Sequence, residues 1–181
     1  MKKLFFIAII IAPMLLNAQN LVINGDFETV GATPQNFANW THSPTYSNIA
    51  KETSATKING LSSVRFTANT SAAYITSDAI TVEPGKTYRL KFTGRIHKTA
   101  GTSGTLETSE DAALKLSVLI WNGTKTSPSK FPVLSITSAT NKTVSGEFKI
   151  PAAGVTAIKL VFGKNKDVAY ADDVVLVELK K

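Results

Sequence analysis

The stretch Tyr88-Arg89-Leu90-Lys91-Phe92-Thr93-Gly94-Arg95-Ile96-His97 alternates apolar with polar residues. In an extended chain this puts Tyr88, Leu90, Phe92 and Ile96 on one face and Arg89, Lys91, Thr93, Arg95 and His97 on the other. The same period of two runs through Val64, Phe66 and Ala68; Leu114, Leu116, Val118 and Ile120; Ile158, Leu160 and Phe162; and Val174 and Leu176. Each reads as a strand with one buried face. Turn sequences separate them: Asn59-Gly60, Glu83-Pro84-Gly85-Lys86, Asn122-Gly123 and Pro151-Ala152-Ala153-Gly154. Almost nothing holds a helical period for the length a helix needs. The pattern therefore predicts an all-β fold, a two-sheet antiparallel β-sandwich (jelly roll) of about eight or nine strands. Two long stretches without pattern, 29–48 and 98–111, read as loops. Loops of that length either carry function or form a hairpin tip.

The N-terminus follows a different rule. Lys2 and Lys3 precede an apolar run from Leu4 to Leu16, broken only by Pro13 and closing on Leu16-Asn17-Ala18. Charge, short apolar core and small residue, in that order, predict a secretory signal peptide cleaved after Ala18. The run is too short to cross a bilayer, which takes roughly 20 apolar residues. Residues 1–18 are thus expected to be a signal peptide and 19–181 one sandwich domain, destined for secretion, the periplasm or the cell surface. No later segment is long and apolar enough to be a transmembrane helix.

The chain has no cysteine. Neither a disulfide framework nor a lipid-modified cysteine anchor is available, so stability has to come from packing, with a metal as the other means. The net charge of +7 includes the two leader lysines, and the remaining lysines are scattered among Thr and Ser. Nucleic-acid binding calls for a dense basic stripe, so no nucleic-acid partner is expected.

Five short motifs occur in order: Asn24-Gly25-Asp26-Phe27-Glu28 within an apolar opening segment; Trp40 after the first loop; Asn59-Gly60-Leu61-Ser62-Ser63 before a strand; Val82-Glu83-Pro84-Gly85-Lys86-Thr87-Tyr88 leading into the alternating strand; and Tyr170-Ala171-Asp172-Asp173-Val174 near the end. Together they resemble the jelly-roll carbohydrate-binding modules of families four, nine and twenty-two, galactose-binding-like β-sandwiches, over nearly all of 19–181. The resemblance implies that 20–28 is the opening strand, that Trp40 is a core residue, and that a structural calcium lies near the chain ends, with backbone oxygens from the loop before Asn59-Gly60.

The acids support that expectation on their own chemistry. If Phe27 enters the core, Asp26 and Glu28 lie on the opposite side of the strand. First and last strands of a jelly roll neighbour each other, which brings Asp172 and Asp173 toward them. Such a cluster needs neutralising, and calcium takes six to eight oxygens from carboxylates and carbonyls. Glu28 and Asp173, then Asp26 and Asp172, are the expected metal ligands; solvation, or pairing with lysines such as Lys57, would satisfy the same acids.

A sugar ring packs its C–H face on an aromatic and offers hydroxyls to forked or planar polar groups. Trp121 is out of phase with Leu116, Val118 and Ile120, so it falls on the face of Lys115, Ser117 and Leu119. If its strand neighbours the 88–97 strand, Trp121 shares a surface with Arg95 and His97. Tyr74 and Tyr46 are further candidates. The other readings are that Trp121 caps the core at a strand end and that Arg95 and His97 form a solvated strand face.

Catalysis is not expected. Glycoside hydrolysis needs two carboxylates about 5 to 9.5 Å apart across a cleft, and Glu107, Glu110 and Asp111 sit in no hydrolase motif. The Gly-X-Ser-X-Gly elbow is absent, and His42 and His97 lack the neighbours of a catalytic zinc site. The expected function is a secreted non-catalytic module binding a poly- or oligosaccharide through an aromatic and arginine surface; the alternative is a structural or adhesive surface or matrix protein without a sugar site. The lack of clustered aromatics points to a soluble chain or short oligosaccharide.

Overall fold

The strands are β1 (Trp40–His42), β2 (Ile49–Glu52), β3 (Ser63–Ala68), β4 (Ala73–Ser77), β5 (Ile80–Thr81), β6 (Thr87–His97), β7 (Leu114–Trp121), β8 (Thr126–Ser127), β9 (Leu134–Ile136), β10 (Lys142–Lys149), β11 (Ala157–Lys164) and β12 (Asp167–Glu178). The computed structural model describes residues 19–31, 37–42, 48–68, 72–97, 112–152 and 154–180. The expected leader falls outside them. One sheet has seven strands, ordered β1-β4-β11-β7-β8, with β5 also on β11 and β9 also on β7. The other has five, ordered β10-β6-β12-β3-β2. Every pairing is antiparallel. The all-β sandwich is as expected, with somewhat more strands, the extra ones mostly short. No helix of the described residues is long and apolar enough to cross a membrane.

The core lies between the sheets, where the alternating residues meet. Along β6 Tyr88, Leu90, Phe92 and Ile96 are buried, as their spacing predicts. Phe162 on β11 sits at the centre of an aromatic cluster, with ring centroids 5.0 Å from Phe92, 5.7 Å from Phe66 and 6.0 Å from Trp40. Burying a ring of this size contributes roughly 1.5–3 kcal/mol. Trp40 is the core residue the resemblance implies, and its indole N–H donates to the Asn24 carbonyl at 3.1 Å.

The opening segment departs from expectation. Residues 22–26 form turns rather than a strand, and Asn24 and Phe27 take positive φ values of 51° and 52°. The segment still lies beside the closing strand. Leu21 N–H donates to the Leu176 carbonyl and Val174 N–H to the Gly25 carbonyl, each at 2.8 Å. The Asn20 side chain adds two bonds, donating to the Val174 carbonyl at 3.0 Å and accepting from Leu176 N–H at 2.9 Å. Phe27 is fully buried, 5.1 Å from Trp40 between centroids. It reaches the core by a backbone twist instead of by strand alternation.

A second correction concerns neighbours. β6 pairs with β10 and β12, whereas β7 pairs with β11, β8 and β9. The two strands lie in opposite sheets, so Trp121 shares no surface with Arg95 and His97. Finally, the β12–β6 ladder shifts register between Asp172 and Val175. Asp173 there has φ 51°, the mark of a β-bulge that carries one extra residue.

Candidate functional site

Two places bring the candidate residues together. The first is an open depression beside the β12 bulge, lined by Asp26, Glu28, Asn59, Gly60, Leu61, Asp172 and Asp173. All four acids singled out from sequence border it. Glu28 Oε1 accepts from the backbone N–H groups of Leu61 and Ser62 at 2.7 and 3.3 Å. Gly60 makes that approach possible, because a Cβ there would stand 1.9 Å from Glu28 Oε1. The other oxygen, Oε2, is buried and has no hydrogen-bond partner.

Asp172 is almost wholly buried. Its Oδ2 accepts from Ser63 Oγ at 2.8 Å and Asn59 N–H at 3.2 Å, and its Oδ1 from Asp173 N–H at 2.8 Å. Burial nevertheless prevails over these bonds, and with the charge of Asp173 alongside it pushes the Asp172 carboxyl up to about 6. Asp173 is half-buried, its two oxygens both 3.5 Å from Asn59 Nδ2. Asp26 is exposed and caps Glu28 N–H at 3.5 Å. No Lys or Arg among the described residues lies within ion-pairing distance of these four acids, Lys57 included. No three Asp, Glu or His side chains among the described residues converge closely enough to enclose an ion unaided.

The second place is the outer face of the seven-stranded sheet. Gly163 on β11 registers against Tyr74 on β4 to one side and Lys115 on β7 to the other. A Cβ on Gly163 would meet the Tyr74 ring at 3.1 Å. The missing side chain leaves a hollow of about 200 Å³ bordered by Tyr74, Lys115, Ser117, Val161, Gly163 and Asn165. Tyr74 is 37% exposed. Trp121 ends β7 on the same face, half-buried, with Lys159 Nζ 4.1 Å from its ring centroid. Six residues separate Trp121 from the Lys115 row, about 20 Å at the rise of an extended chain. Lys159 and Gly163 were missed as candidates although their signal was present: they occupy the outward phase of the Ile158, Leu160, Phe162 alternation.

Arg95 and His97 lie on the outer face of the five-stranded sheet, which is partly covered. The Arg95 guanidinium stands 4.6 Å over the Tyr170 ring, donates to Asn141 Oδ1 at 2.6 Å, and bonds the Thr56 carbonyl. It fastens the loop between β2 and β3 down on the sheet. His97 is exposed at the end of β6. Tyr46 lies outside the described residues, as do Glu107, Glu110 and Asp111. A further open furrow, of about 500 Å³, runs past Lys86, Lys149 and Lys180, but it has no aromatic wall, and Lys86 is tied there to Glu178 at 3.1 Å.

The family model described as a carbohydrate binding domain, of the family 4 and 9 type, matches residues 19–167. The chain belongs to this carbohydrate-binding family. No curated protein sequence matches it. Among solved structures, one similar fold is a family 16 carbohydrate-binding module, 18% identical, with a TM-score of 0.61 over 87% of this chain and 99% of that one. Another is the xylan-binding CBM22-1 domain from Paenibacillus barcinonensis, 12% identical, TM-score 0.59, covering 91% and 97%. A third is a family 61 module in complex with β-1,4-galactotriose, 14% identical, TM-score 0.55, covering 90% and 100%. At these identities the likeness is one of fold, and it agrees with the jelly-roll resemblance read from the motifs.

Proposed function

We propose that the protein is a non-catalytic, exported module that holds a poly- or oligosaccharide on the outer face of its seven-stranded sheet, between Tyr74 and Trp121. The observation that carries this reading is the pairing of two outward aromatics on one open face with the bare backbone of Gly163 beside Tyr74. A pyranose C–H face packs on such a ring, and Ser117 and Asn165 offer hydroxyl and amide partners to the sugar's own hydroxyls. Membership of the family supports a sugar ligand, and the similar domains described as binding xylan or β-1,4-galactotriose support a polysaccharide or a piece of one. Arg95 and His97 have no part in this site. Export rests on the leader sequence alone.

Calcium belongs to the same proposal. Glu28 presents a buried carboxylate oxygen without a partner, beside three further acids and, among the described residues, no neutralising lysine or arginine, which is the donor set a hard cation satisfies. Glu28 and Asp173 would hold the ion, with Asp26 and Asp172 beside them and backbone carbonyls and water completing the shell. Its role would be structural, joining the opening turns to the closing strand.

The direct experiment is a glycan array with pull-downs on insoluble polysaccharides, comparing wild type with Trp121→Ala and Tyr74→Ala. Each substitution is expected to weaken binding about tenfold, the equivalent of ~1.4 kcal/mol. Undiminished binding in both variants would remove this face from the site. Failure of the wild type to bind any glycan would leave the structural or adhesive alternative.

A further inference from the structure

Asparagine followed by glycine occurs three times, at Asn24-Gly25, Asn59-Gly60 and Asn122-Gly123. The pair is chemically labile, because glycine has no side chain to keep its nitrogen from the asparagine Cγ. Attack forms an N–C bond and closes a five-membered succinimide. The side-chain amide leaves as ammonia, taking the proton of the backbone N–H, and water then opens the ring to aspartate or isoaspartate. The reaction needs a backbone free to bend into the ring and surroundings that accept negative charge on Oδ1 as the tetrahedral centre forms.

The three pairs differ in both respects. Asn24 is fixed: its side chain donates to the Thr29 and Ala38 carbonyls, each at 2.8 Å, and accepts from Thr29 N–H at 2.9 Å. Gly25 is buried against the Val174 carbonyl, where a Cβ would stand at 2.2 Å. Asn59 sits in the acidic depression, its N–H held by Asp172 Oδ2 and Gly60 pressed against Glu28. The carboxyl groups of Glu28, Asp172 and Asp173 around it oppose any further negative charge. Asn122 is placed the other way. It is exposed together with Gly123, Thr124 and Lys125, and a Cβ on Gly123 would meet nothing within 4 Å. The loop 122–125 carries a lysine and no acid. Asn122 Oδ1 accepts three hydrogen bonds, from Thr124 N–H and Thr124 Oγ1 at 3.1 Å and from Lys125 N–H at 2.9 Å. These donors face the oxygen on which charge develops. A hydrogen bond to an ionised acceptor is roughly twice as strong as one to a neutral acceptor, so they favour the tetrahedral intermediate over the resting amide.

We infer that Asn122-Gly123, in the hairpin between β7 and β8, is a self-modification site, converting through a succinimide to aspartate and isoaspartate while the fold shields the other two Asn-Gly pairs. The conversion sets a negative charge directly after Trp121. The isoaspartate form also adds one carbon to the main chain, inside a hairpin whose strands pair Trp121 with Thr126. The altered turn borders the face assigned above to the sugar, but the modification needs no ligand and does not rest on that assignment.

The test incubates the folded protein in mildly alkaline buffer with chelator, then maps asparagine, aspartate and isoaspartate in tryptic peptides by mass spectrometry. Residues 116–125 and 58–65 place Asn122 and Asn59 in separate peptides, and Asn24 falls in the one ending at Lys51. Asn122 is expected to convert at least about tenfold faster than either of the others, the equivalent of ~1.4 kcal/mol in barrier. In concentrated urea, with the chain unfolded, the three rates should come within about threefold of one another. Thr124→Val removes the hydroxyl donor and keeps the N–H; it should slow Asn122 about threefold or more in the folded protein, with an unchanged melting temperature. Thr124→Ser, which restores a hydroxyl, should convert as the wild type does. Asn24 or Asn59 reacting as fast as Asn122 in the folded protein would overturn the inference. So would an equally large lead for Asn122 in urea, an undiminished rate in Thr124→Val, or no conversion at any of the three.

Discussion

The guanidinium of Arg95 lies over the ring of Tyr170, its central carbon 4.6 Å from the ring centroid, and from there holds the Thr56 carbonyl and Asn141. Arg95 thus works as a clamp between β6, β12 and the loop that follows β2. Replacing it with alanine is expected to cost about 1–3 kcal/mol, the sum of a cation–π contact and charged hydrogen bonds at a half-exposed site. Hydrogen exchange should quicken at residues 54–58 while glycan affinity stays as in the wild type. A loss of affinity without faster exchange would restore Arg95 as a ligand residue.

Asp172 gives the metal-free protein a pH dependence of definite sign. Its folded pKa of about 6 lies above the ordinary value of 3.8, so the folded state binds the proton more tightly than the unfolded chain. The contribution of this group is greatest below about 4 and falls away as pH rises through about 6, by on the order of 2–3 kcal/mol. Thermal unfolding in chelator, followed between about pH 7 and about pH 5, should show stability rising on acidification. The Asp172→Asn variant should flatten that slope. An unchanged slope in the variant would mean that another group is responsible.

Calcium should reverse the preference, because a bound cation stabilises the charged acids. Adding calcium to metal-stripped protein is expected to raise stability by ~2.7 kcal/mol at a hundred times the dissociation constant, a shift of about 5–10 °C for a domain of this size. The Glu28→Gln variant keeps an oxygen for Leu61 and Ser62 N–H, so it should fold, yet its melting temperature should not respond to the ion. A wild type indifferent to millimolar calcium would dispose of the metal site.

Most of the sandwich was legible because burial imposes a period of two. Tyr88 to His97, Leu114 to Ile120 and Ile158 to Phe162 all read as strands with the correct faces inward. The edge strand β10 was harder to see, since Lys142–Lys149 turns only Val144, Gly146 and Phe148 inward and is otherwise polar. Alternation tells which face a residue occupies but carries nothing about which strand lies alongside, and for that reason Trp121 was set next to Arg95. The opening segment misled for another cause. Asn24-Gly25 is a turn signal of the same kind as Asn59-Gly60, but positive φ is rare for a bulky residue such as Phe27, so the twist that buries its ring has no local signature. The nearness of Glu28 and Asp26 to Asp172 and Asp173 follows from the opening segment lying beside the closing strand, with the Asn59-Gly60-Leu61 turn completing the depression.

The bulge in β12 has a consequence for how this strand tolerates change. Ahead of it Ala169 and Ala171 face inward, and beyond it Val174 and Leu176 do, which a strictly alternating strand would not allow. The strand is in effect two half-strands spliced out of step, with Asp173 as the splice. Losing that one residue would bring the halves back into step: Val174 would follow Asp172 directly, fall opposite Phe92 and, with Leu176, keep its inward place. Deletion there would spare the packing of β12 and remove only the kink, and with it the carboxylate that the kink sets beside the acidic depression.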